Sequence, residues 1–216
     1  MQRIATYMRL KPGLQAAYRA EHDHIWPEVV AGIRRFGLRN YSIYSHGREL
    51  YSYFEMADLD EAMAMAAGDP DNRRWQAHMA GFFEVSPGVG DGSAVSLKEA
   101  FHTDGDPDRG TARQRVATLM RLKPGLEAEY KRAHQQIWPE ILAGIARAGI
   151  SNYTIFMTGP TLFSYFEVKD LAAAMATLSA DPDNQRWQKH MAHLFDVGPG
   201  LQDGTTVYLE ELFHLA

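Results

Sequence analysis

The chain contains one sequence written twice, and this duplication limits its fold more than any other feature. Residues 3–14 return almost unchanged as residues 115–126, and 69–72 return as 181–184. The two copies align without a gap, whereas a solenoid would need three or more short units. We therefore predict two like domains, copy 1 at 1–102 and copy 2 at 113–216. The segment 103–112 is rich in Gly, Pro and Asp and is predicted to be a linker.

Within one copy the apolar periodicity predicts the order β-α-β-β-α-β. Alternating runs bounded by turn residues predict strands at 3–10, 40–45, 50–56 and 95–101. Helical spacing predicts helices at 14–35, 58–67 and 72–83, the first restarting at Pro27 because proline is tolerated in a first helical turn. The predicted class is α+β, with two tandem ferredoxin-like (βαββαβ) domains. Each would leave one sheet face bare, so we expect the halves to pack as an intramolecular dimeric α/β barrel.

Composition excludes several classes of function. The net charge is -5 and the pI about 6.0, so no basic surface for nucleic acid or anionic lipid is expected. There is no cysteine, which excludes disulfides, thiolate nucleophiles and cysteine-ligated metals. The N-terminus lacks a signal-peptide pattern and no apolar run could span a bilayer, so a cytoplasmic location without membrane contact is expected.

Tyrosine and histidine recur at helical spacing in both copies. Tyr18 and His22 share one helix face, as do Tyr130 and His134, and imidazole can donate and accept protons near neutral pH. An aromatic face with nearby amides also suits a sugar ring. The further candidates for substrate contact are Tyr41, Trp75, Gln76, Tyr153, Trp187 and Gln188. A purely structural interpretation stays open, since such aromatic residues commonly pack in a core.

A metal site is the other interpretation of the histidines. His22 and His24 form an H-x-H pair, and His78 and His190 lie on later predicted helices. Copy 2 has Gln136 in place of His24, so the pair is not repeated. No HExxH motif, phosphate loop or serine nucleophile elbow occurs. We therefore predict no metal and no cofactor.

The string Tyr18-x3-His22-x2-Ile25-Trp-Pro-Glu, then Asn40-Tyr41, then Arg74-Trp75, resembles the L-rhamnose mutarotase family. The resemblance covers almost all of each copy. It implies a ferredoxin-like domain that forms dimers and interconverts the α and β anomers of a free deoxyhexose without a cofactor. It further implies that His22 and His134 are the proton donors, with Tyr18, Tyr41 and Trp75, and their counterparts Tyr130, Tyr153 and Trp187, in contact with the sugar.

Two features depart from that family. The family has two adjacent tryptophans where this chain has Trp75-Gln76 and Trp187-Gln188, so L-fucose or another aldose is an alternative to L-rhamnose. Its familiar members are also single-domain chains, whereas here the halves are expected to pair within one chain, with further dimerisation left open. Two other functions remain as alternatives: an oxygenase of the dimeric α+β barrel type, and a sugar-binding module without catalysis.

Overall fold

The computed structural model describes residues 1–88, 94–108, 113–200 and 205–216. The elements of copy 1 are β1 (Gln2–Leu10), α1 (Gln15–Asp23), α2 (Pro27–Arg35), β2 (Arg39–His46), β3 (Glu49–Met56), α3 (Leu59–Gly68), α4 (Pro70–Met79), β4 (Phe83–Val85) and β5 (Val95–Gly105). The elements of copy 2 are β6 (Gln114–Leu122), α5 (Glu127–Gln135), α6 (Pro139–Arg147), β7 (Ile150–Thr158), β8 (Thr161–Val168), α7 (Leu171–Ala180), α8 (Pro182–Met191), β9 (Phe195–Val197), β10 (Val207–Tyr208) and β11 (Glu210–Leu215). The predicted α+β class with two βαββαβ units is confirmed.

Local sequence signals correctly predict several of the helix boundaries. Pro27 begins α2 as predicted, and Gly37 follows its end with a φ of 79°, a conformation that glycine adopts freely. Asp58 caps α3 by accepting a hydrogen bond from the Glu61 amide. The predicted helix at 72–83 is wrong at both ends: α4 starts at Pro70, capped by Asp69, and stops at Met79. A 3-10 turn and the short strand β4 follow it, and β4 pairs with β1.

The compact units of the structure do not follow the boundaries of the sequence copies. Unit 1 contains Met1–Leu97 together with Glu210–Ala216, and unit 2 contains Lys98–Leu209. In unit 1, β11 from copy 2 pairs antiparallel with β2, and Arg19 on α1 forms an ion pair with Glu210. In unit 2, the later part of β5 from copy 1 pairs antiparallel with β7. Each unit therefore takes one strand from the other copy.

The predicted linker differs from the structure for the same reason. Strand β5 does not end at residue 101 but continues to Gly105, because Phe101 to Gly105 hydrogen-bond along β7. The first three residues of the predicted linker are thus strand. Residues 109–112 of that linker lie outside the described residues.

In unit 1 the order of neighbouring strands is β1-β3-β2-β11, and in unit 2 it is β6-β8-β7-β5. Asn40 and Asn152 interrupt the pairing of β2 with β3 and of β7 with β8. Both have a positive φ, 50° and 49°, which asparagine tolerates better than most residues. Such a bulge re-aims the following side chain, and here the following residues are Tyr41 and Tyr153.

No helix among the described residues is long and apolar enough to cross a membrane.

Candidate active site

In unit 1, aromatic rings hold His22 on three sides. Its ring centroid lies 4.2 Å from that of Tyr18, 5.8 Å from Trp75 and 5.7 Å from Phe213. The ring is inclined by 34° to Tyr18 but meets Trp75 and Phe213 edge-on. Phe213 also contacts the Tyr41 ring, at 5.6 Å. Tyr18 and Trp75 therefore contact His22 directly, and a phenylalanine that belongs to copy 2 links His22 to Tyr41.

Unit 2 repeats this arrangement around His134. Its ring lies 4.1 Å from Tyr130, 5.6 Å from Trp187 and 5.4 Å from Phe101, the counterpart of Phe213. One cavity is lined by every site residue predicted for copy 2: Tyr130, His134, Tyr153, Trp187 and Gln188. Its other walls are mostly apolar, with a few hydroxyl and amide groups. Small-molecule sites have this composition.

Helix geometry decides which nitrogen of each histidine carries the proton. Nδ1 of His22 lies 3.1 Å from the backbone oxygen of Tyr18, and Nδ1 of His134 lies 3.1 Å from that of Tyr130. A carbonyl oxygen can only accept a hydrogen bond, so Nδ1 is the donor. In the neutral ring Nε2 then has the lone pair and can accept a proton.

Burial keeps these two rings neutral. Desolvation lowers the pKa of His22 below its ordinary value, against the opposing effect of the Tyr18 carbonyl. The same cause lowers the pKa of His134 to about 4. Because the neutral imidazole dominates at pH 7, each ring must accept a proton before it can donate one.

The tyrosines of the site stay protonated. Burial raises the pKa of Tyr41 and of Tyr153 to about 12, and it raises that of Tyr18 and Tyr130 well above 10. Within the described ranges, no hydrogen bond joins the hydroxyl of Tyr130 or Tyr153 to another residue. Neither phenolic oxygen is a fully buried atom without a partner in the described ranges, so both reach the cavity and can donate to a ligand that carries hydroxyl groups.

The comparison with protein families decides the class of the chain. A model of the L-rhamnose mutarotase family matches the chain twice, over residues 3–103 and 115–215. The chain belongs to the L-rhamnose mutarotase family. Mutarotases are isomerases that interconvert the anomers of a sugar, and the chain is an enzyme of this kind.

Individual relatives agree with this assignment. The L-rhamnose mutarotase of Mesorhizobium japonicum is 38% identical over 105 residues, which is 98% of that protein and 48% of this chain. That of Opitutus terrae is 41% identical, covering 97% of that protein and 47% of this chain. Each relative thus matches about one copy.

A solved structure is similar over almost the whole chain. The crystal structure of an anthrone oxidase-like protein aligns with 99% of this chain and 91% of its own chain, with a TM-score of 0.55 at 10% identity. At that identity the likeness concerns the fold alone.

Three groups of residues around this candidate site were not predicted from the sequence. Phe101 and Phe213 were missed because each sits one copy away from the histidine that it contacts. The hydroxyl pair Thr118–Ser164, 2.6 Å apart, lines the cavity of unit 2, yet threonine and serine in strands give no distinctive signal. Asn184 also lines the cavity; its side chain accepts from Gln188 Nε2 at 3.4 Å. Its repetition as Asn72 and Gln76 in copy 1 could have identified it.

The histidines considered for a metal site make other contacts in the structure. His24 Nδ1 lies 3.0 Å from the backbone oxygen of Ala20, so His22 and His24 each donate to the carbonyl four residues earlier. His78 instead lies 2.8 Å from Glu21, and His190 packs on Trp138 and Trp187. In the described part of the chain, no three His, Asp or Glu side chains form a group that could hold a metal ion.

The lowered pKa of His134 predicts how far the pH can fall before activity is lost. In a His22→Ala variant only unit 2 is expected to work, so kcat/KM should reflect His134. We expect it to stay level from pH 8 to pH 5, because the base form persists until the pH approaches about 4. Anomer exchange measured across this range, corrected for the spontaneous rate, tests this. If kcat/KM fell to half near pH 6.5, the ordinary pKa of imidazole, the His134 ring would be solvated.

Proposed function

We propose that each unit catalyses the exchange of α and β anomers of a free L-rhamnose-like pyranose, with His22 and His134 as the proton-transfer residues. The observation that carries this proposal is a neutral imidazole packed against a buried phenol, with its Nδ1 proton committed to a carbonyl oxygen. This combination offers one base and several protonated donors in a largely apolar pocket. Mutarotation needs one acid and one base and no cofactor.

The proposed reaction begins with ring opening. Nε2 of the histidine takes the proton of the anomeric hydroxyl, the C1–O5 bond breaks as C1 becomes an aldehyde, and O5 takes a proton from a tyrosine phenol, which becomes a phenolate. The phenols of Tyr130 and Tyr153 in unit 2 are protonated groups that can hydrogen-bond O5. After rotation about C1–C2, O5 attacks the other face of the aldehyde and returns its proton to the phenolate, while the imidazolium gives its proton to O1. General acid–base help of this type contributes about 10²–10⁴-fold.

The lining of the pocket supports a sugar as substrate. Trp75 and Trp187 are buried next to the histidines and offer an apolar surface for a C–H face. Gln76 and Gln188 follow them and offer amides to sugar hydroxyls. The family relatives are named as L-rhamnose mutarotases, so we propose L-rhamnose first. L-fucose is the second candidate, because a single tryptophan stands here beside the glutamine.

A panel of sugars tests the proposed function. Freshly dissolved single anomers of L-rhamnose, L-fucose, L-arabinose and D-glucose would be followed by polarimetry with and without the chain. We expect acceleration in proportion to protein concentration, largest for L-rhamnose or L-fucose. If all four sugars kept their spontaneous rates, the chain would be at most a binding module.

We also propose that the two halves pair with each other within the chain, in the cytoplasm as their expected location. The exchange of β5 and β11 between the copies supports this pairing, because each unit needs a strand of the other copy to complete its site. The whole-chain likeness to a solved structure of the same fold also supports it.

Cleaving the chain at a protease site introduced between residues 108 and 113 tests the pairing. The two fragments are expected to sediment together as one species of 24.3 kDa, the mass of the uncut chain, because hydrogen-bonded strands hold them together. Activity should survive the cut for the same reason. Fragments that separate in sedimentation at micromolar concentration while remaining active would contradict the proposed pairing.

A further inference from the structure

The cavity of unit 2 has an aromatic wall at a position where unit 1 has a serine. Tyr208 on β10 lines this cavity and is 43% exposed, which places it at the opening. It lies directly opposite Thr118 of β6. In unit 1 the residue opposite Thr6, the counterpart of Thr118, is Ser96. Directly opposed residues project to the same face of a sheet, so Ser96 occupies the position of Tyr208.

The hydroxyl pair next to the two positions is matched. Thr118 Oγ1 lies 2.6 Å from Ser164 Oγ, and Thr6 Oγ1 lies 2.7 Å from Ser52 Oγ. The same hydroxyl pair therefore stands beside Tyr208 in one unit and beside Ser96 in the other. The exchange of a ring for a hydroxymethyl side chain is the difference between the copies at this point.

Elsewhere, a difference in size between the copies is balanced by a neighbour. Leu178 of unit 2 corresponds to the smaller Ala66 of unit 1. In unit 1 the large Phe36 packs in the same cluster as Ala66. The counterpart of Phe36 in unit 2 is Ala148, which packs in the cluster of Leu178. This paired exchange conserves core volume. Among the described residues that line the cavity, Tyr208 has no such balancing partner in unit 1: the counterpart of its neighbour Thr206 is the smaller Ala94.

We infer that Tyr208 makes the unit 2 site selective for 6-deoxy pyranoses, whereas the unit 1 site, with Ser96, also accepts pyranoses that carry a hydroxymethyl group. The inference rests on the proposed function. The methyl group is the one apolar substituent on the ring of a 6-deoxyhexose, so it is the natural match for an added aromatic wall. A hydroxymethyl group pressed against that ring loses a hydrogen bond to water. Ser96 is exposed, so the same group would keep its water there.

L-rhamnose and L-mannose provide the test, because they differ only in the hydroxyl on C6. Anomer exchange would be measured for both sugars by NMR with the full chain and its variants. In the parent chain the permissive unit 1 site carries most of the L-mannose exchange. Ser96→Tyr closes that route and is expected to raise the rhamnose-to-mannose rate ratio by about tenfold, the scale at which apolar pockets discriminate single groups. Tyr208→Ser is expected to raise L-mannose exchange up to about twofold, as a second permissive site opens.

Matched controls separate the ring from the hydroxyl. Tyr208→Phe keeps the aromatic ring, and Ser96→Ala introduces no ring. Both variants should therefore keep the rhamnose-to-mannose rate ratio of the parent chain. If Ser96→Tyr or Tyr208→Ser left the ratio unchanged while rhamnose exchange persisted, the inference would be overturned. It would also be overturned if the variants changed the ratio of L-rhamnose to L-fucose instead, since Tyr208 would then sense the ring hydroxyls. A parent chain that accelerated neither L-rhamnose nor L-mannose would count against the proposed function itself.

Discussion

A chain carrying both His22→Ala and His134→Ala is expected to lose anomer exchange by about 10²-fold or more, the usual size of a general acid–base contribution. Either single variant should keep a sizeable fraction, because each unit has its own imidazole bonded to its own tyrosine carbonyl. Exchange between the anomeric proton signals of L-rhamnose, followed by NMR, measures the three variants side by side.

His24→Ala is the matched control for this experiment. His24 is exposed and, among the described residues, its side chain bonds the carbonyl of Ala20 alone, so its loss should leave exchange within about twofold, as for an ordinary surface substitution. Near-ultraviolet circular dichroism must show that the double variant keeps its aromatic packing, since both histidines contact aromatic rings. A folded double variant with near-parental exchange would make the histidines structural, and the proposed mechanism would fail.

Removing Phe213 should silence unit 1 although this residue belongs to copy 2. The Phe213 ring contacts both His22 and Tyr41, and small displacements of a catalytic group cost up to about 10²-fold. Phe213→Ala is therefore expected to lower exchange by about tenfold or more in a His134→Ala chain, where only unit 1 works. In a His22→Ala chain the same substitution should change exchange by less than about twofold.

Phe101→Ala gives the mirror experiment, because Phe101 contacts His134 and Tyr153. It should act in the His22→Ala chain and have little effect in the His134→Ala chain. The opposite pattern, in which each phenylalanine affected the histidine of its own copy, would contradict the strand exchange seen in the structure.

The parts of the fold that local sequence determines were predictable. Pro27, Gly37 and Asp58 fix backbone conformations or caps within one or two residues, and all three act where the sequence places them. Strand β4 was missed because three residues carry no periodicity, and a 3-10 turn hides the end of α4. Such short elements are specified by pairing with β1 rather than by their own pattern.

The strands with which β5 and β11 pair were not predictable from either copy alone. The strand signal at 95–101 is the same whether β5 pairs within copy 1 or with β7 of copy 2. That choice depends on contacts far apart in sequence, such as Phe101 with His134. The candidate site was predicted better, since the spacing of Tyr130 and His134 on one helix already places them together. Burial, which lowers the pKa of His134, depends on the tertiary packing and could not be inferred from that spacing.

We expect this chain to accelerate the interconversion of free sugar anomers. The most direct measurement is magnetisation exchange between the α and β H1 signals of L-rhamnose at equilibrium, recorded with the intact chain at several concentrations. The exchange rate should rise linearly with protein concentration, should be unaffected by a chelator, and should be about halved by either single histidine substitution. An exchange rate equal to that of L-rhamnose in buffer alone, at every protein concentration, would contradict it.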